Sequence, residues 1–417
     1  MKIAIVGTGV AGLVTAHLLH PEHDITVFEA DRRVGGHAHT VDVEIGGRDY
    51  AVDTGFIVYN EPNYPRFGAL LRRLGVATQP TEMSFGVSNR TSGLEYRASN
   101  LNSLFAQRSN AWRPSYVRFL VEIVRFNRAL RALIEHNEPG DETLRGFIAR
   151  LGFSEALQRD FVVPFGSAIW SADPATFTTM PALAYARFMA NHGLLQLGRR
   201  PQWRTVTGGS RRYVDALTAP FAHRIRLATP VRKIVTPIGA TAGVEVLTEH
   251  GPEYFDRVVV ATHSDQALRM LSDPTPAERS VLGALRYQRN DATLHTDGRL
   301  LPANPRAHAS WNFAVEAGAR RATVTYSMNR LQALDCREPV LVTLNRRAAI
   351  ADAHVLAEFE YDHPVLDDAA FAAQRRRPEI QGRRGVYFAG AYWGYGFHED
   401  GTQSAYDVVD AIRESQP

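Results

Sequence analysis

Hydrophobic positions recur in two registers along this chain. In Met1-KIAIV, Asp24-ITVF and Val386-YFA they form short continuous runs, the pattern of strands buried on both faces of a parallel sheet. From Asn100 to Leu197 they recur instead at helical spacing. Within Pro114-SYVRFLVEIVRFNRALRALIEH, the residues Tyr116, Phe119, Leu120, Ile123, Leu130 and Ile134 share one stripe. Arg118, Arg125, Arg128 and Arg131 lie largely off it. From about Val206 to Leu271 the pattern returns to short strands and helices, including a hairpin in Gly243-VEVLTEHGPEYFDRVVVAT. Ala322-TVTYSMN and Val340-LVTLN predict further strands. No internal repeat or low-complexity linker is present, so the chain crosses between two discontinuous units.

The first apolar run leads into Gly7-x-Gly9-x-x-Gly12 and then a helix, beginning Val10-Ala11. Gly7 permits the tight turn, Gly9 lets backbone approach a pyrophosphate, and Gly12 lets the helix lie close on the sheet. The free N–H groups and positive dipole end of that helix suit phosphate oxygens. The next strand ends on Glu29, seventeen residues after Gly12, near the roughly 20 expected of the acid that binds a ribose 2′-hydroxyl. A carboxylate there repels a 2′-phosphate, which disfavours NADP. Strand, glycines, helix, strand and acid in this order predict a Rossmann-like dinucleotide site. Glycines within the apolar stretch and the charged strand behind it argue against an export signal.

Directly after Glu29 comes Ala30-DRRVGGHAHT. Here the sequence resembles the flavin amine oxidase and phytoene desaturase superfamily, whose second motif is an acid, a spacer, an arginine and a glycine pair. Arg33, Gly35 and Gly36 match it, and the resemblance implies that they wrap the FAD phosphates. His37 stands where the family often has a second arginine. Val52-DTGFIVYN places Gly55 near the isoalloxazine ring by the same resemblance, and Pro230-VRKI places the Val231 backbone at the adenine. Phe388-AGAYWGYGFHEDG resembles the closing motif, with Gly390 near the pyrophosphate and Gly401 and Thr402 opening a helix toward the flavin pyrimidine ring. Ala391 replaces the usual acid.

The implied fold is α/β, with a Rossmann-like FAD-binding domain of the GR2 type from residues 1–75, 205–275 and 376–417. Residues 76–204 and 276–375 form a discontinuous α+β substrate domain with a helical cap. The runs His37-AHTVDVEIGG, Asp53-TGFIVYNEPNYP, Phe165-GSAIWS and Gly394-YGFHEDG further resemble a bacterial branch of FAD-binding oxidoreductases associated with fatty acyl modification, such as cyclopropane fatty acid synthesis.

Composition narrows the chemistry. At 417 residues the chain suits two domains. No run approaches the roughly 18 apolar residues of a spanning helix. The single Cys336 excludes an intrachain disulfide, a CxxC pair and an all-cysteine metal site. The net charge of +3 comes from dispersed arginines, with Lys2 and Lys233 the only lysines. Without a recognised binding module this charge does not point to nucleic acid. Many amine oxidases of the superfamily set a lysine against the flavin through water, and neither lysine here is placed for that. A cytoplasmic protein is expected, with the arginine-flanked helix able to touch the inner membrane face.

His398 and Glu399, in the aromatic loop with Tyr392, Trp393, Tyr395 and Asp400, are the candidate proton-handling residues, since imidazole titrates near neutral pH. His295 is a second candidate. His17, His20 and His23 belong to the first helix and its exit, where no acid completes a metal site. No second GxGxxG module is visible, so substrate is expected to reduce the flavin, and oxygen, a quinone or a redox protein to reoxidise it. The leading expectation is dehydrogenation or isomerisation of a hydrophobic, acyl-chain substrate. Amine or amino-acid oxidation is the alternative, and an FAD-binding redox sensor or scaffold is an alternative of another class.

Overall fold

The computed structural model describes residues 1–136, 142–195, 201–236, 243–316, 318 and 321–415. Position 197, the end of the predicted helical stretch, lies outside the described residues. Five parallel strands form the first sheet, in the order Ile225–Arg226, Asp24–Phe28, Lys2–Val6, Arg257–Val260 and Val386–Phe388. Lys2–Val6 is therefore central, which is why its apolar run is unbroken. Alternation along it sends Ile3 and Ile5 to one face, against Ala16, Leu19, Val408 and Ile412 of the helices Val10–Leu19 and His398–Glu414. Ala4 and Val6 go to the other, against a three-stranded antiparallel layer carrying Ile234, Val246 and Phe255.

The hairpin expected after Gly243 is present as Val244–Thr248 and Gly251–Phe255. The apolar run after it, Arg257–Val260, leaves that layer and joins the parallel sheet. Two helices that the sequence boundaries assign to the second unit pack here instead. Pro276–Ala284 and Asp368–Arg375 bury Val281, Leu282, Ala370 and Ala373 on the same face of the parallel sheet. The crossings thus fall later than 275 and earlier than 376, because apolar contact rather than composition decides where a helix settles.

The second unit is built on a seven-stranded sheet, ordered Val355–Pro364, Tyr287–His295, Leu341–Leu344, Val324–Ser327, Trp311–Val315, Phe85–Asn89 and Leu94–Arg97. It is antiparallel except where Trp311–Val315 meets Phe85–Asn89. The expected helices cover it, the longest being Pro114–His136. That helix buries Tyr116, Phe119, Phe126 and Leu130, while Leu120 and Ile123 are half-buried. Its buried face also takes Glu122, which accepts a hydrogen bond from Ser154 Oγ, a pairing invisible to hydrophobic periodicity. No helix among the described residues is long and apolar enough to cross a membrane.

Candidate flavin site

The C-terminal ends of the parallel strands open onto a cavity of about 1380 Å³ that continues under the helical cap. Ordinary small-ligand pockets hold roughly 300–1,000 Å³, so there is room for a dinucleotide and a substrate together. Its floor comprises Gly7, Thr8, Gly9, Val10 and Ala11 from the first turn, Glu29, Gly35, Gly36, Gly55 and Val231, and Gly390 from the closing motif.

The three glycines of the first turn are there for different reasons. Gly7 has φ +104°, a left-handed conformation that side chains rarely adopt. A Cβ on Gly12 would lie 2.0 Å from the Gly7 carbonyl oxygen, so only glycine lets helix and turn meet. A Cβ on Gly9 would meet nothing within 4 Å and would project into space that a ligand can fill. Gly36, at φ +57°, brings its Cβ position within 3.0 Å of Gly9 Cα and closes the second turn over the first. The residues present therefore fit a bound pyrophosphate: two glycine turns face one another, with an open cradle at Gly9 beside the N-terminus of Val10–Leu19.

Glu29 lies at the lip. Thr8 donates its backbone N–H to Glu29 Oε2 at 2.9 Å and its hydroxyl to the same oxygen, and Asp31 N–H donates to Oε1 at 2.8 Å. The carboxylate is thus oriented where the second strand ends. Val231 lines the cavity, and its amide has no hydrogen-bond partner among the described residues. Arg33 is placed differently from the phosphate role its motif implies. It is not among the lining residues, and it donates through Nη2 to the Gly36 carbonyl at 2.8 Å, bracing the glycine turn from behind.

The closing motif is also divided. Gly390, Ala391, Tyr392, Tyr395, Phe397 and His398 line the cavity; Gly401 and Thr402 do not. A Cβ on Gly401 would sit 2.6 Å from Val10 Cγ1, so this glycine permits close approach of the first and last helices. Thr402 Oγ1 donates to the His398 carbonyl at 2.8 Å within its own helix.

His398 reaches the cavity, but as a packed ring. It stacks on Phe56 at 3.6 Å between ring centroids, and its Nε2 pairs with Tyr213 Oη at 3.0 Å. Burial pushes its pKa down to about 3, so the neutral imidazole is a weak proton acceptor. Glu399, expected beside it as a proton-handling residue, does not line the cavity. Its two oxygens accept N–H bonds from Arg66 at 3.0 Å and Phe67 at 2.9 Å, capping the helix Pro65–Arg73, whose opening amides otherwise lack partners. His295 is buried in its sheet against Thr343 Oγ1 at 2.7 Å and is likewise absent from the lining.

In place of those two, three imidazoles meet on the cavity wall. His37 lies 6.0 Å from His263 and 5.6 Å from His363, centroid to centroid. Burial lowers the pKa of all three, that of His363 to about 4. They belong to the second glycine turn, the loop after Arg257–Val260, and the strand Val355–Pro364. Their separation along the chain explains why no spacing motif announced them. No group able to hold a metal occurs among the described residues.

Under the cap the cavity becomes mainly apolar in its lining, with Asn127, His192 and Gln202 among the polar members. Leu120, Ile123, Val124, Phe161, Phe165, Ile169, Trp170, Phe188 and Trp203 line it. Among the described lining residues between 64 and 203 there is no aspartate, glutamate, lysine or arginine.

The flavin containing amine oxidoreductase family matches residues 10–293, more than half of the sequence, including the second glycine turn. The chain belongs to that family. As a member it is a flavin-dependent oxidoreductase whose cofactor is FAD, a dinucleotide that the residues of the two-turn cradle fit. The fold is shared with cyclohexylamine oxidase from Brevibacterium oxydans IH-35A, at 18% identity and TM-score 0.72 over 99% of this chain and 98% of that one. A putative protoporphyrinogen oxidase from Exiguobacterium sp. 255-15 aligns at 17% identity and TM-score 0.68, covering 100% and 99% of the two chains. A CLA-producing fatty acid isomerase from P. acnes aligns at 16% identity and TM-score 0.67, covering 98% of each. No curated protein matches the sequence significantly.

Proposed function

We propose that this member of the family dehydrogenates or isomerises a long apolar acyl chain. The observation that carries the reading is the chamber continuous with the flavin cradle, whose described lining residues between 64 and 203 include no aspartate, glutamate, lysine or arginine. An amino acid needs a cation for its carboxylate, and burying a charge without a partner is costly. A hydrocarbon chain needs only shape and apolar surface. The same fold serves both a fatty acid isomerase and amine oxidases, so it accommodates either substrate class.

In this reading Phe161, Phe165, Ile169 and Trp170, with Leu120 and Ile123, line the path of the chain and exclude water. Bound FAD supplies a two-electron acceptor for hydride. His363 keeps its proton on Nε2, and the neutral His37 and His263 surround it without adding charge. Oxygen, a quinone or a redox protein serves as terminal acceptor if the reaction is a net oxidation.

Anaerobic mixing of the FAD-loaded enzyme with fatty acyl lipids, followed by flavin absorbance and by mass spectrometry of the products, tests this. Bleaching with a product lighter by two hydrogens indicates dehydrogenation. A product of unchanged mass with a moved double bond indicates isomerisation. Turnover of simple amines with none of acyl lipids replaces the reading with amine oxidation, and absence of turnover on either favours a redox sensor.

A further inference from the structure

We infer that the outer face of the cap is a docking surface for an anionic lipid bilayer, set around the mouth of the cavity. Trp112 is 87% exposed and Leu101 74%, unusual for residues of their size. On the adjoining helix Pro114–His136, Val117, Val121 and Val124 stand 46%, 53% and 36% exposed at i, i+4 and i+7, which places them on one face. Five of the exposed large apolar side chains thus fall within residues 101–124. Contiguous exposed apolar surface of this kind marks an interaction site more often than scattered single residues do.

Charge decides which partner fits. From residue 98 to the end of the helix at His136 the sequence holds Arg108, Arg113, Arg118, Arg125, Arg128 and Arg131 against two acids, Glu122 and, at the far end, Glu135. Glu122 is buried and bonded to Ser154, so it contributes nothing to the outer field. Arg113, Arg118, Arg125 and Arg128 are exposed. An apolar stripe whose flanking arginines outnumber its exposed acids, here Glu135 alone among the described residues of the helix, fits the headgroup layer of an anionic membrane.

Position supplies the third argument. Leu101 and Val124 are exposed and also line the cavity, so the exposed apolar residues reach the mouth of the chamber. A bilayer seated there would cover the mouth and let an acyl chain enter without crossing water. This extends the acyl-chain reading but rests on a different observation, the exposed face itself.

The test is flotation of the FAD-loaded protein with vesicles of phosphatidylcholine alone and of equal parts phosphatidylcholine and phosphatidylglycerol. Binding to the anionic vesicles is expected to exceed that to the neutral ones by roughly tenfold or more at low salt and to fall as salt screens the arginines. Trp112→Ser with Val121→Ser, and separately Arg113→Glu with Arg118→Glu, should abolish flotation while leaving flavin content unchanged. None of these four residues lines the cavity. Absence of flotation, or flotation unaffected by both double variants, overturns the inference. So does sedimentation equilibrium showing a dimer that Trp112→Ser disperses, since the face would then join two copies. Turnover of a detergent-dispersed acyl substrate without vesicles is scored separately, so failure of docking and failure of the acyl reading are distinguishable.

Discussion

Asn290 donates through Nδ2 to Nδ1 of His363 at 2.9 Å, and this bond fixes where the imidazole proton resides. The amide cannot be turned round. Asp291 N–H donates to Asn345 Oδ1 at 3.0 Å, Asn345 Nδ2 donates to Asn290 Oδ1 at 2.7 Å, and the remaining Asn290 N–H goes to the Ser171 carbonyl at 3.0 Å. His363 Nδ1 must accept, so the ring is neutral and protonated on Nε2. Burial, with His263 nearby, holds its pKa near 4.

Asn290→Asp reverses the polarity of that bond, because a carboxylate accepts and does not donate. The His363 pKa is expected to rise, with Nδ1 becoming protonated, and ring NMR shifts followed against pH will record it. An unchanged titration would show that the amide does not set the tautomer. Asn345→Asp, one step further away, should act more weakly.

Gly9→Ala and Gly12→Ala should fail in different ways. Gly9 has an extended backbone, φ −65° and ψ 176°, that alanine adopts readily, and open space before it, so the alanine protein folds but loses FAD affinity, by roughly tenfold or more for the loss of even 1.4 kcal/mol. Gly12→Ala drives a methyl into the Gly7 carbonyl and should cost about 3 kcal/mol of stability, the upper end of overpacking. Denaturant titration of both apoproteins, alongside flavin titration, separates the two effects.

Glu29→Ala should weaken FAD binding by about 1–3 kcal/mol, the range for losing a charge-assisted hydrogen bond. Isothermal titration with FAD measures it. Unchanged affinity would leave Glu29 as a brace for Thr8 and Asp31 and remove it from the ribose.

His398→Gln should flatten the acid limb of the stability profile. The unfolded ring takes up a proton near pH 6.5, whereas the folded one does not until about pH 3. Stability from this residue is therefore whole above about 6.5 and is lost as pH falls toward 3, at about 1.4 kcal/mol per pH unit. Asp400 and Asp53 run the other way. Burial raises them to about 7 and about 6 from 3.8, so their contribution is whole below about 3.8 and is lost as pH rises to those values. The opposed slopes overlap, so the variant must be compared with the parent rather than the parent read alone. Equal slopes would mean that His398 is not held neutral. A single-turnover rate that drops at full flavin occupancy would return it to proton transfer.

NADH and NADPH are expected to bleach the flavin slowly or not at all, since the described residues build one dinucleotide turn pair and no second. Stopped-flow mixing checks this, and rapid stoichiometric bleaching would locate an electron donor site elsewhere on the protein.

The cofactor cradle was legible in sequence because its requirements are local. A tight turn, a close helix and an open phosphate path each demand glycine at one position, and Gly7, Gly9, Gly12, Gly35 and Gly36 satisfy them whatever the rest of the chain does. The acid at Glu29 follows from the length of one strand-helix-strand unit. Motif resemblance drew attention to Arg33, and residue type to His398 and Glu399, yet their partners decided what they do. The amides that Glu399 caps belong to Arg66 and Phe67, more than three hundred positions earlier. His398 becomes a neutral packed ring only where Phe56 and Tyr213 close around it. His37, His263 and His363 share no spacing and meet because three separate segments converge where the two sheets adjoin. Backbone geometry is written in neighbouring residues, whereas burial and charge balance depend on which distant side chains arrive, and only the folded chain determines that.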